Sequence, residues 1–282
     1  MKKVLKVVAI VTLILLIAGG CVYMVYLRPF MQKMKQTTTI HYDKDLTIVL
    51  GGGGNSGILV SDSLVIVIDT KMDKAADEFY KMVKEMAGSK PILVVNTHIH
   101  PDHTGGNKNY SGQTIIAGGN YTTEQWKKEN GEETMPTIWL KDKMDIPMGD
   151  DTATIFNLEK TNHTASDVMV YLHRRKLLFA GDVILNKQAP ALFGNANPDG
   201  YLEAMNELPI QFDIQKIVPG HGEIGGIEIL NTFKQYFIDM KTAAADGDKE
   251  DELVAKYKDW NQVPRVMSPG ATVSFIRGVN DK

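Results

Sequence analysis

The chain has 282 residues, of which 43% are hydrophobic and 23% charged, and this composition excludes a disordered, collagen-like or disulfide-rich protein. The single cysteine, Cys21, excludes an internal disulfide and a cysteine-rich zinc site, so any metal site must use histidine and carboxylate ligands. Four of the 31 basic residues lie in the first 30 positions, so the rest of the chain has 27 basic residues and all 34 acidic residues. This acidic balance argues against a nucleic acid partner.

The chain begins with a basic segment and a long apolar run. Three lysines within the first six residues precede an uncharged stretch from Val7 to Leu27, which is long enough to span a bilayer as one helix. We therefore predict a cell-membrane anchor over residues 1–30, with the rest of the chain outside the cytoplasm because its short N-terminus is basic. The alternative is a lipoprotein signal, since Ala18-Gly19-Gly20-Cys21 resembles a bacterial cleavage box that would leave Cys21 lipidated.

Strand-like and helix-like segments alternate after a polar tether predicted over residues 31–39. The predicted strands are Ile40–Leu50, Gly57–Val60, Leu64–Ile68, Pro91–Asn96, Thr114–Ala117, Ile138–Leu140, Thr152–Leu158, Val168–Leu172, Lys176–Ala180 and Ile214–Val218. The predicted helices are Asp73–Met86, Thr122–Glu129, Gly200–Leu208 and Ile227–Lys241. Strands followed by helices in each half predict one α/β domain over residues 40–242, with two sheets face to face and helices outside. Residues 243–282 are more charged and are predicted to form an appended helix and tail.

A histidine-rich loop directly follows a short apolar strand. The loop reads Asn96-Thr97-His98-Ile99-His100-Pro101-Asp102-His103-Thr104-Gly105-Gly106-Asn107. Residues two apart in an extended backbone point the same way, so His98 and His100 can bind one cation together. Pro101 then turns the chain, and Asp102 and His103 can face a second cation beside the first.

Three further candidate ligands lie where later elements begin or end. His163 precedes the strand Val168–Leu172, Asp182 follows the strand Lys176–Ala180, and His221 follows the strand Ile214–Val218. Each alone would be an ordinary turn residue, but together they complete two coordination shells.

These motifs resemble the metallo-β-lactamase-fold hydrolase superfamily, and among its members the glyoxalase II and SoxH-like zinc hydrolases. The resemblance implies a four-layer αββα sandwich, with the first metal held by His98, His100 and His163. It also implies that Asp102, His103 and His221 hold the second metal and that Asp182 bridges the two. Val67-Ile68-Asp69-Thr70 matches the family motif whose aspartate supports the metal loop from behind, which gives Asp69 that role.

Two positions in this sequence differ from particular branches of the family and make those branches less similar to this chain. Antibiotic-hydrolysing members have cysteine or serine at the position of Asp182, so the aspartate here is more similar to glyoxalase II and lactonases. Flavodiiron members have glutamate where His100 stands, which makes an oxygen-reducing di-iron site less compatible with this chain.

Paired divalent cations generate a hydroxide nucleophile near neutral pH and polarise a carbonyl. We therefore expect a hydrolase with two zinc ions, in which iron or manganese is also possible. Its expected substrate is a small-molecule ester, thioester, lactone or amide. Asp102 is the expected catalytic residue, which orients the attacking water. The alternatives are a phosphodiesterase or nuclease, an iron-dependent sulfur oxidoreductase, and a non-catalytic metal-binding domain. Substrate and oligomeric state are open at this point.

Several other features have a simpler structural interpretation. Gly51 to Gly54 lacks a following Gly-Lys-Ser/Thr and is predicted to connect two strands as a hairpin. His41 and His173 lie outside the motifs and are predicted to be ordinary packing or surface residues. Asp167 is either a partner of a liganding histidine or part of an exposed turn. The segment from Lys187 to Gly200 is a candidate pocket wall, with Asn186, Phe193 and Tyr201 as its candidate residues.

Overall fold

The computed structural model describes the backbone of residues 2–280 and their side chains, apart from the side chains of residues 2–5, 7–9, 33, 34 and 280. The side-chain charges of Lys2 and Lys3, and the outer limits predicted for the anchor and the tail, lie outside the described residues. The strands are β1 (Thr37–His41), β2 (Leu46–Gly51), β3 (Ser56–Val60), β4 (Val65–Ile68), β5 (Ile92–Val95), β6 (Thr114–Gly118), β7 (Ile138–Leu140), β8 (Lys143–Met148), β9 (Asp151–Asn157), β10 (Val168–Leu172), β11 (Leu177–Phe179) and β12 (Lys216–Val218). The α-helices are α1 (Lys2–Val22), α2 (Arg28–Lys35), α3 (Asp73–Ala87), α4 (Pro101–Thr104), α5 (Thr123–Asn130), α6 (Pro198–Gln211), α7 (Ile227–Ala245), α8 (Glu250–Lys256) and α9 (Pro269–Asn280).

Two mixed sheets form the centre of the molecule. The first has the strand order β1-β2-β3-β4-β5-β6-β7, and the second has the order β12-β11-β10-β9-β8. Neighbouring strands from β1 to β4 are antiparallel, and those from β4 to β7 are parallel. In the second sheet only β11 and β12 are parallel.

The four layers follow from which face of each strand is apolar. In β4, Ile66 and Ile68 point between the sheets, where they share a core with Ile155 and Val170 of the second sheet. The alternate β4 residues point outward and pack under α3, as expected for strands buried on both faces. Helices α6, α7 and α9 cover the outer face of the second sheet. The predicted αββα sandwich is therefore confirmed.

The structure differs from the predicted elements at two strands. The predicted strand Ile40–Leu50 is a hairpin of β1 and β2, because the Asp43 carboxylate accepts hydrogen bonds from the backbone N–H groups of Asp45 and Leu46, 2.9 Å each, and closes a turn. The sequence analysis also missed β8, which contains Pro147; proline is tolerated there because β8 is the edge strand of its sheet.

Both ends of the folded domain are more structured than predicted. Residues 31–39, expected to be a tether, contain the end of α2 and most of β1. After residue 242, α8 and α9 pack against α7, and Tyr257, Trp260, Val273 and Ile276 are buried in the same core as the α7 aromatics. Burying such a side chain stabilises a protein by roughly 1.5–3 kcal/mol, so this segment is held by its apolar residues despite its many charges.

One described helical stretch could cross a membrane. It covers Ile10–Gln32, has 23 residues, and is exposed to solvent along its most apolar part. Cys21 lies within it and is exposed. A signal sequence near the N-terminus meets the same criteria of length and hydropathy, so this helix is compatible with either origin of the predicted membrane attachment.

Candidate metal centre

All the predicted ligand residues lie at one edge of the sandwich. Strands β4 and β5 are parallel, so Asp69 and the segment from His98 to His103 leave the first sheet on the same side. Strands β11 and β12 are parallel too, and Asp182 and His221 follow their ends. His163 lies in the loop that leads into β10. Loops from both sheets therefore converge, as ligand loops do at the carboxyl ends of parallel strands.

Three imidazoles form the first group of the cluster. His100 Nδ1 lies 3.1 Å from His98 Nε2 and 2.9 Å from His163 Nε2. These ligand atoms could hold one metal ion. The extended backbone at His100 directs its ring to the same side as that of His98, as the spacing of two residues predicts.

A second group forms on the other side of Asp182. His221 Nε2 lies 3.1 Å from Asp102 Oδ2, and His103 Nε2 lies 3.6 Å from the same oxygen. Asp102, His103 and His221 could hold a second ion. Asp182 lies between the groups, since its Oδ1 is 3.2 Å from His103 Nε2 and its Oδ2 is 3.5 Å from His163 Nε2.

Asp69 and Thr97 orient two of the histidines from behind. His103 Nδ1 lies 2.7 Å from Asp69 Oδ2, and the Thr97 hydroxyl donates to the same oxygen at 2.8 Å. His98 Nδ1 lies 3.1 Å from that hydroxyl. In this set of hydrogen bonds every donor has an acceptor when His98 and His103 carry their proton on Nδ1. The lone pairs on both Nε2 atoms are then directed into the cluster.

His163 is oriented by a separate pair of contacts. Its Nδ1 lies 2.8 Å from the hydroxyl of Tyr201, which is fully buried. The next residue, Thr164, donates to the Asp167 carboxylate from both its backbone N–H and its hydroxyl. Asp167 is buried, so of the two predicted alternatives the exposed turn is wrong; the residue supports the loop that carries His163.

Two buried atoms show that the cluster suits a cation. His103 Nε2 and Asp182 Oδ1 are buried and, among the described residues, have no hydrogen-bond partner. Burial would lower the pKa of His103, but Asp69, Asp102 and Asp182 raise it well above its usual value. A positive charge is therefore favoured between His103 Nε2 and the Asp182 oxygen 3.2 Å away, and either a proton on Nε2 or a bound cation can supply it. Neutral imidazole and carboxylate are also the donor set that zinc accepts in proteins.

The electrostatics divide the cluster into two halves. Burial lowers the pKa of His163 to about 3 and the pKa of His98 well below its usual value, so both imidazoles are neutral. Burial would also lower the pKa of His221, but Asp182 and Asp102 raise it to about 9. The half around these two carboxylates therefore favours a positive charge, which a protonated imidazole or a divalent cation can supply.

Lys71, which the sequence analysis missed, supports the cluster from below. It is fully buried, and its Nζ donates to the carbonyl oxygens of Val49 and Gly54, 2.6 Å each. Gly54 belongs to the predicted Gly51–Gly54 hairpin, and a Cβ there would collide with the His103 ring. Lys71 thus fixes the backbone on which that ring rests. Its one signal in the sequence is its position two residues after Asp69.

Lys71 makes the stability of the protein depend on pH. Burial lowers the pKa of Lys71 to about 7, from 10.5 for an exposed lysine. Asp69 and Asp102 raise this pKa, but by less than burial lowers it. Between these pH values the unfolded chain holds one more proton than the native chain, so the stability that Lys71 confers rises with pH. We expect the free energy of unfolding of the wild type, relative to Lys71→Met, to rise by about 1.4 kcal/mol per pH unit between about pH 7.5 and about pH 9.5.

Urea denaturation of the full chain in mild detergent measures this difference. Lys81→Met is the matched control, because Lys81 is exposed on α3. The free energy of unfolding of Lys81→Met should differ from that of the wild type by the same amount at every pH. A pH-independent difference for Lys71→Met would show that Lys71 keeps its proton in the native state.

The remaining candidates fall around the cluster or away from it. Phe193 lines the cleft over the cluster, and Asn186 lines an adjoining cleft. His41 and His173 lie elsewhere and contact the hydroxyls of Thr47 and Thr154.

Comparisons with known proteins identify the family of this chain. A family model described as "Metallo-beta-lactamase superfamily" matches residues 49–221, which is more than half of the chain. The chain is 25% identical over 174 residues to "Acyl-coenzyme A thioesterase MBLAC2" of Homo sapiens, an alignment that covers 52% of this chain and 62% of the relative. It is 29% identical over 178 residues to "Metallo-beta-lactamase type 2" of Bacillus cereus, covering 61% of this chain and 68% of the relative.

A solved structure shows the same fold. The metallo-beta-lactamase from Pontibacter korlensis superposes with a TM-score of 0.63 at 20% identity, covering 72% of this chain and 99% of that one. Because the matched region contains every predicted ligand from His98 to His221, the fold, the motifs and the family model agree: the chain belongs to the metallo-beta-lactamase superfamily.

Proposed function

We propose that this protein is a membrane-tethered hydrolase that uses two zinc ions to cleave an ester, thioester, lactone or amide. The relatives named as an acyl-coenzyme A thioesterase and as metallo-beta-lactamases support an acyl substrate. The observation that carries the proposal is the unpartnered pair His103 Nε2 and Asp182 Oδ1, buried at the floor of an open cleft. Such a pair is stabilised by a positive charge between its two atoms, and a bound divalent cation would supply that charge.

In this proposal each ion has its own protein ligands. His98, His100 and His163 would hold the first ion, and Asp102, His103 and His221 would hold the second. Asp182 would be available to both, because its two oxygens face the two groups of ligands. Nitrogen and oxygen donors suit zinc, and they also accept iron or manganese.

The chain contributes more than ligands to the proposed reaction. Bound divalent cations would supply a water of lowered pKa and polarise the substrate carbonyl. Asp102 lines the cleft with its side chain 23% exposed, so its carboxylate can accept a hydrogen bond from the attacking water and orient it. Asp69, Thr97 and Tyr201 keep the histidine rings in place, which avoids reorganisation during turnover.

The charges around the cleft separate this proposal from a phosphodiesterase or nuclease. Among the described residues that line the cleft, none is lysine or arginine, and the acidic residue outside the proposed ligand set is Glu129. Phosphate-binding sites instead place cationic side chains on the anion. An iron-dependent sulfur oxidoreductase and a non-catalytic metal-binding domain use the same ligands and are distinguished by the metal and by turnover.

The apolar helix supports a membrane tether. We propose that it anchors the chain in the cell membrane, with the catalytic domain outside the cytoplasm, either as an uncleaved span or through a lipidated Cys21. Resistance of the full chain to extraction from membranes by alkaline carbonate tests the tether. The mass of the N-terminal peptide distinguishes the two forms.

The decisive experiment is elemental analysis of the full chain purified in mild detergent, followed by a panel of ester, thioester, lactone and phosphodiester substrates. We expect nearly two zinc ions per chain and turnover of acyl substrates. Iron near one per chain would support the sulfur oxidoreductase instead. Bound zinc without turnover across the panel would support the non-catalytic alternative.

A further inference from the structure

Two clefts of different character meet at the candidate metal centre. The first has a volume of about 670 Å³, and its wall away from the ligands is apolar, with Ile99, Phe193 and Met267. The second has a volume of about 410 Å³ and is lined by polar side chains, among them the amides of Asn186 and Gln262 and the charged groups of Lys187, Glu223 and Asp259. His221 borders both clefts, so a molecule bound at the metal centre can occupy both.

The apolar cleft is unsuited to a charged group. No lysine or arginine borders it among the residues that the structure describes, and its charged lining residues other than histidine are acidic. Among these acidic residues Glu129 is outside the proposed ligand set, and its carboxylate repels an anionic substituent at short range. The apolar wall gives such a substituent no hydrogen bonds. The part of the substrate that lies here is therefore neutral and apolar.

Exposed apolar side chains at the opening of the apolar cleft also indicate that an apolar part of the substrate binds here. Phe193 is 55% exposed and Val266 is 44% exposed, and the two border one shallow groove next to the apolar cleft. Phe30, on the helix that continues from the apolar N-terminal segment, reaches the same cleft. Large exposed apolar groups that adjoin a cleft mark a surface covered on binding, and a flexible acyl chain can cover them.

We propose that the substrate is an amphiphile, with an apolar acyl chain in the first cleft and a polar leaving group in the second cleft. This inference rests on the proposed hydrolase function and adds the substrate class. Water adds to the acyl carbonyl carbon, the bond from that carbon to the leaving oxygen or sulfur breaks, and a proton passes to the leaving group. The products are a carboxylic acid and an alcohol or thiol.

Turnover of a graded series tests the acyl site. The substrates are N-acetylcysteamine thioesters of acetyl, butanoyl, hexanoyl and octanoyl groups, which share one amide-containing leaving group. With the zinc-loaded full chain in mild detergent, we expect kcat/KM to rise about fourfold for each methylene that is buried. Phe193→Ser should lower kcat/KM for the octanoyl thioester by about tenfold and leave the acetyl thioester within about twofold.

Ile210→Ser is the matched control, because Ile210 is an apolar residue that is 84% exposed on α6, away from both clefts. It should keep the wild-type dependence on chain length. Both substituted residues are exposed, so neither variant should fail to fold.

Binding without turnover separates this inference from the proposed function. The probes are two thioethers that cannot be hydrolysed, S-octyl- and S-ethyl-N-acetylcysteamine, titrated calorimetrically into the chelator-treated full chain. We expect the octyl probe to bind at least about tenfold more tightly, and Phe193→Ser to remove the difference. Selective octyl binding, without hydrolysis of any thioester or of any acyl substrate in the panel above, would support the amphiphile site and contradict the hydrolase function. Hydrolysis of all four thioesters at equal rates, with equal binding of both probes, would overturn the amphiphile site alone.

Discussion

Replacing His98 with alanine is expected to reduce kcat/KM by at least about a thousandfold and to lower the metal content of the purified chain. His98 is buried and its Nε2 points at His100 Nδ1, 3.1 Å away, so its loss removes a ligand that no neighbouring side chain can replace. The domain should remain folded, because the hydrophobic cores lie between the sheets and under the helices, away from this ring. Elemental analysis, steady-state kinetics and thermal unfolding of the same preparation measure the three effects.

His41→Ala is the control for this substitution. His41 is exposed on β1 and contacts the Thr47 hydroxyl, so its removal deletes an imidazole without touching the cluster. The control should retain two metal ions and wild-type kinetics. If His98→Ala also retained two ions and normal activity, the assignment of the metal centre would be wrong.

Replacing Asp69 with asparagine is expected to weaken metal binding and activity by about tenfold to a hundredfold. The Asp69 carboxylate accepts from the backbone N–H and the hydroxyl of Thr97 and contacts His103 Nδ1. An amide keeps one accepting oxygen and places its NH2 group against donors on the other side; with the NH2 in the position of Oδ2, the His103 ring and the Thr97 hydroxyl lose their acceptor. Because that hydroxyl also contacts His98 Nδ1, the substitution disturbs both groups of ligands.

Asparagine is the suitable replacement because Asp69 has φ of +55°, a left-handed conformation that asparagine tolerates well. The loss therefore reports on hydrogen bonding and not on backbone strain. Zinc affinity, measured by competition with a chelator, is the readout that separates ring orientation from a general loss of activity. Asp62→Asn, at an exposed turn aspartate, should leave zinc affinity unchanged. An unchanged affinity in Asp69→Asn would mean that the carboxylate does not orient the ligands.

Local sequence patterns predicted most of the regular elements. Four consecutive apolar residues in β4 and in β5 indicated buried strands, and the apolar face of Asp73–Met86 indicated the helix between them. The patterns failed where a tertiary contact or a side chain decides the conformation. Asp43 breaks one apparent strand with its carboxylate, and Pro147 is acceptable in β8 only because that strand lies at a sheet edge.

The sequence by itself determined the family and the candidate ligands. Metal coordination restricts the residue types to histidine and carboxylate, and local backbone geometry sets the short spacing from His98 to His103. The residue types and the spacing can therefore be recognised before the fold is known. The tertiary structure decided what touches these ligands. Tyr201 meets His163 from 38 residues away, and Lys71 meets Gly54 under the His103 ring. Such contacts join segments that are distant along the chain, where no periodicity or spacing links the partners, and only the packing of the two sheets brings them together.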